Sequence, residues 1–182
     1  MSDMPRLSIG HIGMFVTDPD RMKDFYTRVL GFTVTDDGRM HTGVRLVFMS
    51  RDPSEHHQVV LVEGRGKDAP TTVNQISFRV QSLADIRAVH RRVVEAKADD
   101  IRPINHGNAW SVYFRDPEGN RLECYLPTPW YVAQPHGDPM DLSLSDQQIH
   151  AATEAMCRKD PSFMPVEEWR KAFAHKRAAA PA

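Results

Sequence analysis

Three residues of metal-binding type, His11, Gln75 and Glu123, fall into one arithmetic pattern. His11 and Gln75 lie 64 residues apart (75 − 11), Arg51-Asp52-Pro53 recurs as Arg115-Asp116-Pro117 at that spacing, and Val59 precedes Glu123 by the same interval. The apolar skeleton repeats with them: Ile12 with Ile76, Val16 with Val80, Met22 with Ile86 and Val29 with Val93. A fixed period of this kind marks a duplicated structural unit. A two-fold relation between the copies would draw His11, Val59, Gln75 and Glu123 toward one point, where only Val59 lacks a donor atom. Histidine and carboxylate ligands with open positions suit a redox-active or Lewis-acidic divalent ion.

The elements that must position these residues can be read in each copy as strand, helix and three strands. Residues 8–16 alternate, with Ile12, Met14 and Val16 on one face and His11, Gly13 and Phe15 on the other. Asp18-Pro19-Asp20 suits a helix start, Met22, Phe25, Tyr26, Val29 and Leu30 follow at helical spacing, and Gly31 stops it. Strand-like runs come near residues 33–36, 41–49 and 57–63, and a polar linker spans 64–72. The second copy predicts a strand at 73–80, a helix at 83–96 and runs near 101–103, 110–115 and 121–126. Gln75 shares its strand face with Ser77, and these small neighbours leave room for a ligand. Alternation pairs His57 with Val59 and Leu61, and Glu123 with Arg121 and Tyr125, so that Cys124 points into the core.

The fold class is therefore α+β, with two tandem βαβββ modules, 1–63 and 73–126, forming a curved mixed sheet or half-barrel around a metal cleft. Residues 127–182 form an extended and helical tail. Pro127, Pro129, Pro135 and Pro139 keep its first part extended, and Trp130 and Tyr131 anchor it. Ser145 with Gln148 makes a capping box for one short helix, a second begins at Pro165, and residues 174–182 read as frayed. The tail is expected to be a structural cover or dimer contact, with a lid as its functional reading.

Composition excludes several classes. With 23 basic and 24 acidic residues the formal charge is −1, which offers no concentrated basic surface for nucleic acid. The apolar runs are too short for a membrane span, and the N-terminus lacks the apolar core of a signal peptide. Cys124 and Cys157 are the only cysteines, so reduced thiols and a cytoplasmic location are expected.

At these residues the chain resembles the vicinal oxygen chelate (glyoxalase/bleomycin resistance/dioxygenase) superfamily, and within it the single-domain extradiol dioxygenases of the 2,3-dihydroxybiphenyl type. The resemblance rests on Gly10-His11-Ile12-Gly13-Met14-Phe15-Val16, Phe25-Tyr26, Leu30-Gly31-Phe32, and residues 116–123 from Asp116-Pro117 to Leu122-Glu123. His56-His57 before Val59-Val60-Leu61, His106 before Gly107, and Tyr113 four residues before Pro117 point to the ring-cleaving branch. The resemblance implies an Fe(II) site with His11 and Glu123 as ligands, where Gln75 stands in place of a second histidine. It also implies a homodimer or higher homo-oligomer that takes an aromatic diol and O2 in aromatic catabolism. His57 would be the general base, and His106 and Tyr113 would donate hydrogen bonds to bound oxygens.

Two other classes stay open. One is a lyase or isomerase of glyoxalase or epimerase type using Zn, Ni, Co or Mn. The other is a bleomycin-resistance type binding protein without metal chemistry. Intact His11 and Glu123 count against the second, and Gln75 counts for it.

Overall fold

In a computed structural model that describes residues 7–179, each copy folds as the repeat requires. The first six residues, and the last three of the segment expected to fray, lie outside the described residues; up to Ala179 that segment is helical. The first module comprises β1 (Ile12–Val16), α1 (Pro19–Arg28), β2 (Thr33–Arg39), β3 (Arg45–Ser50) and β4 (Val59–Glu63), in sheet order β1-β4-β3-β2. The second comprises β5 (Ile76–Arg79), α2 (Leu83–Glu95), β6 (Arg102–Asn105), β7 (Ala109–Arg115) and β8 (Arg121–Pro127), in the equivalent order β5-β8-β7-β6. In both, the first and last strands pair in parallel and the rest antiparallel, giving two curved mixed sheets rather than a closed barrel.

Both helices begin where the sequence supplies a cap. The Asp18 side chain accepts from the Arg21 N–H with Pro19 in the first turn, and Ser82 accepts from the Asp85 N–H. Gly31, at φ 73°, supplies the left-handed residue that turns the chain from α1 into β2. Met22 and Tyr26 of α1 and Ile86 and Val93 of α2 are fully buried on Val47, Met49, Val59 and Leu61 of one sheet and Val112, Phe114 and Leu122 of the other. The core is common to both modules. Phe25 meets Phe114 at 6.4 Å in a tilted pair and Phe32 meets Phe78 edge-on at 5.7 Å between ring centroids, contacts that add to area burial. Glu118 joins the units from the polar side, its Oε1 accepting from the backbone N–H groups of Thr17 and Asp18 at 2.6 and 2.8 Å.

The repeat is not uniform in phase. Val47 and Met49 face the core as Val112 and Phe114 do, 65 residues on, whereas Val59 and Leu61 correspond to Leu122 and Cys124, 63 residues on. Nine residues separate the paired Met49 and Val59, but seven separate the paired Phe114 and Leu122. The longer connection slides each strand by one residue, and a one-residue slip moves every side chain to the opposite face. Val59 therefore lies in the core, and Val60, paired with Gly13 as Glu123 is paired with Ser77, holds the position equivalent to Glu123. His57 lies in the loop before β4 instead of alternating with Val59.

The segment after β8 is stitched onto the second sheet. β10 (Asp138–Pro139) pairs with the outer edge of β6, while β9 (Trp130–Tyr131) pairs with β11 (Met164–Pro165). Ser145 and Gln148 form the expected capping box of α3 (Asp146–Cys157), and α4 (Val166–Ala179) follows. Thr153 of α3, fully buried, accepts from Asn105 Nδ2 at 2.9 Å and from Trp110 Nε1 at 2.8 Å, and donates to the Ile149 carbonyl. No described helix is long and apolar enough to cross a membrane.

Candidate active site

The face of the second sheet opposite the helices carries polar chemistry because alternation sends Leu122 and Cys124 inward and Glu123 outward. Glu123 is nevertheless buried, 7% exposed. Its Oε2 accepts from Ser77 Oγ at 2.6 Å and Gln75 Nε2 at 2.9 Å, and its Oε1 accepts from Ser111 Oγ at 2.7 Å. None of the ion pairs among the described residues includes it. A carboxylate taken from water without a counter-charge is costly, and three neutral donors offset that only in part.

Tyr113 stands beside Glu123 as its cross-strand partner. Burial, and then Glu123, push its phenol up to about 12, so it keeps its proton at neutral pH. Its hydroxyl lies 3.0 Å from His106 Nε2, and His106 Nδ1 lies 2.5 Å from the His136 carbonyl oxygen. A carbonyl only accepts, so Nδ1 carries the hydrogen, and in the neutral ring Nε2 accepts from Tyr113. Both His106 ring nitrogens are thus engaged within the protein.

The first sheet contributes a second group. The rings of His11 and His57 lie 4.3 Å apart between centroids, His57 Nδ1 is 2.9 Å from His56 Nδ1, and His56 Nε2 meets Asp36 at 2.8 Å. Phe48 packs edge-on to His57 at 5.2 Å. Burial, then the charges of His11 and His56, hold the His57 pKa below the ordinary value of 6.5. His41 lies exposed in the turn between β2 and β3. No hydrogen bond among the described residues joins the His11 group to the Glu123 group.

Gly13 and Phe15 of β1 line one side of a cleft of about 440 Å³, with Ile76, Arg121 and the linker opposite. A larger hollow of about 780 Å³ includes Gln58 and Ser77 in its lining. Both are of ligand size, although neither is lined by His11 or Glu123 themselves.

The donor set suits a divalent cation. His11 makes no hydrogen bond among the described residues, the Gln75 oxygen accepts none there, and Glu123 Oε1 accepts one, leaving a lone pair free. No three His, Cys, Asp or Glu side chains gather closely enough among the described residues to hold a metal by themselves. Sequence reasoning missed Ser111 as a partner of Glu123; its place two residues before Tyr113 on β7 was the available signal.

Known proteins agree with this architecture. Biphenyl-2,3-diol 1,2-dioxygenase 2 of Rhodococcus globerulus is 26% identical over 162 residues, covering 79% of this chain and 82% of that protein. Biphenyl-2,3-diol 1,2-dioxygenase 3 of the same organism is 28% identical over 132 residues, 69% of this chain and 65% of that protein. The crystal structure of a glyoxylase/bleomycin resistance protein/dioxygenase domain from Frankia sp. EAN1pec superposes with a TM-score of 0.60 at 25% identity, covering 68% of this chain and all of that domain. With both modules present and residues 8–124 matching its sequence model, the chain belongs to the Glyoxalase/Bleomycin resistance protein/Dioxygenase superfamily.

Proposed function

We propose that the protein is an extradiol dioxygenase that cleaves a catechol-type aromatic diol with O2 at a divalent metal, Fe(II) in our reading. One observation carries this: the buried Glu123 carboxylate makes no ion pair among the described residues, is held by neutral donors alone, and shares its sheet face with Tyr113, which meets His106. The dioxygenases named above, similar over most of the chain, support the choice of reaction. His11, Gln75 and Glu123 would hold the metal. When bound, Fe(II) brings diol and dioxygen together and lets electron density pass between them. His57, its pKa lowered by burial, would take a phenolic proton. Tyr113, its phenol pushed up to about 12, keeps its proton and, by turning it from His106 toward the ligand, would donate to an oxygen that gains negative charge. Both atoms of O2 enter the product as the ring carbon–carbon bond beside the diol breaks, giving a hydroxymuconic semialdehyde type of compound.

A second reading has one observation in its favour. Gln75 donates its amide N–H to Glu123, as a residue that only satisfies a carboxylate would, and this fits a metal-free ligand-binding protein. Oxygen-electrode and absorbance assays of Fe(II)-loaded protein with mono- and bicyclic catechols separate the two. Oxygen uptake with a yellow product is expected. No uptake in protein shown to hold iron moves the reading to a lyase or isomerase, and failure to bind any divalent ion moves it to the binding protein.

A further inference from the structure

Residues 132–139 lie beyond the family match, which ends at residue 124, yet they wrap the turn that carries His106. β10 pairs Asp138 with Asn105 and Pro139 with Ile104. Gly107, at φ 74°, sits so close to Val132 that an added Cβ would come within 2.5 Å of it. Gly137 passes over the imidazole, its would-be Cβ 3.5 Å from His106 Nδ1. Between these anchors a single amide binds both sides of the contact. Gln134 Nε2 donates to the His106 carbonyl at 2.9 Å, and Gln134 Oε1 accepts from the His136 N–H at 3.1 Å.

We propose that Gln134 is a positioning residue that holds the His136 carbonyl on His106 Nδ1, and so fixes His106 as its Nδ1–H tautomer with Nε2 turned to the Tyr113 hydroxyl. Free histidine favours the Nε2–H form, so the tautomer must be imposed by the fold. Its consequence concerns the one proton of Tyr113. With Nε2 accepting, the Tyr113 O–H points to His106. With Nε2–H, His106 would donate to the Tyr113 oxygen, and the phenolic proton would turn to its cross-strand neighbour Glu123. There it would take the acceptor position of Glu123 that Ser77, Gln75 and Ser111 leave free. The clamp thus keeps the last acceptor position of Glu123 open. The tautomer stands on hydrogen-bond geometry alone; its use in turnover rests on the dioxygenase reading above.

Long-range ¹H–¹⁵N correlation spectra of the metal-free full chain report the tautomer directly, with the His106 signals assigned by their loss in His106→Gln. Wild type should show Nδ1 protonated and Nε2 bare, and Gln134→Ala should show both forms in exchange while its melting curve stays cooperative. In Fe(II)-loaded protein Gln134→Ala should lower kcat about fivefold to tenfold, the worth of one hydrogen bond, with KM and iron content unchanged. An Nε2–H signal in the wild type overturns the proposal whether or not the variant folds, and so does an unaltered tautomer in folded Gln134→Ala. If no form turns over a catechol, the dioxygenase reading fails while the spectra still decide the tautomer.

Discussion

Glu123 offers a test in which stability and metal binding move in different directions. Replacing it with alanine leaves Ser111 Oγ, in a residue with no exposed surface, without its acceptor, along with the donors of Ser77 and Gln75. An orphaned buried donor costs about 1–3 kcal/mol and the void adds to that, so Glu123→Ala should destabilise the metal-free protein by roughly 2–4 kcal/mol. At about 2–4 °C per kcal/mol for a chain of this size, Tm should fall by roughly 5–15 °C. Glu123→Gln keeps the shape and, with the Ser77 hydroxyl rotated and the Gln75 amide turned, keeps all three contacts. Those contacts weaken from charged to neutral, a loss of roughly 3–5 kcal/mol in total, while relief of several kcal/mol of carboxylate desolvation offsets it. Metal-free Glu123→Gln should therefore melt within about 1 kcal/mol of wild type.

Metal should separate them the other way. A divalent ion at a hundred times its Kd stabilises by about 2.7 kcal/mol, roughly 5–11 °C in Tm, in wild type and in neither variant. Anaerobic melts with chelator, Fe(II) or Mn(II), together with metal analysis of the recovered protein, give all the comparisons. If metal-free Glu123→Gln melts as low as Glu123→Ala, the desolvation argument is wrong. If added metal raises Glu123→Gln as far as wild type, Glu123 is not a ligand.

Other expectations follow from the same geometry. Gln75→His should bind Fe(II) more tightly than wild type, since imidazole is the stronger donor, and equal or weaker affinity in a titration would put position 75 away from the metal. His57→Ala should lower turnover by roughly two to four powers of ten at unchanged metal content. Because the His57 pKa is lowered, the neutral base prevails at pH 6.5, and kcat/KM should fall only as pH drops through a value below 6.5; an acid limb above 6.5 would exclude His57 as the base. Thr153→Val should orphan the buried donors of Asn105 and Trp110 and cost about 2–4 kcal/mol in a denaturant melt, whereas a neutral result would mean that water replaces the hydroxyl.

Much of this was legible in the chain because periodicity survives in residue types. The strand–helix order, the caps at Asp18 and Ser145, and the outward facing of His11, Gln75 and Glu123 all follow from local pattern. The phase of the third and fourth strands was not. Val59 and Val60 are chemically alike, and only the pairing of Met49 with Val59 across the longer loop decides which of them enters the core. Nor could sequence reveal the His106 tautomer, because the carbonyl that sets it belongs to residue 136, brought in by the pairing of β10 with β6. A backbone acceptor leaves no signature in residue identity.

The duplicated unit presents two unlike outward faces. In the second module the outward face holds Glu123, Ser111, Ser77 and Tyr113, donors and acceptors suited to oxygen and to a cation. In the first, the corresponding face presents Val60, Val62 and Phe15, with Phe48 paired to Val60 and edge-on to His57. Phe15 is 66% exposed, a large apolar side chain left open on a strand whose other face is core. On the dioxygenase reading proposed above, the apolar face would take the ring of the diol and the polar face its adjacent oxygens. Two identical walls, each with a carboxylate, would instead favour a small polar ligand held symmetrically.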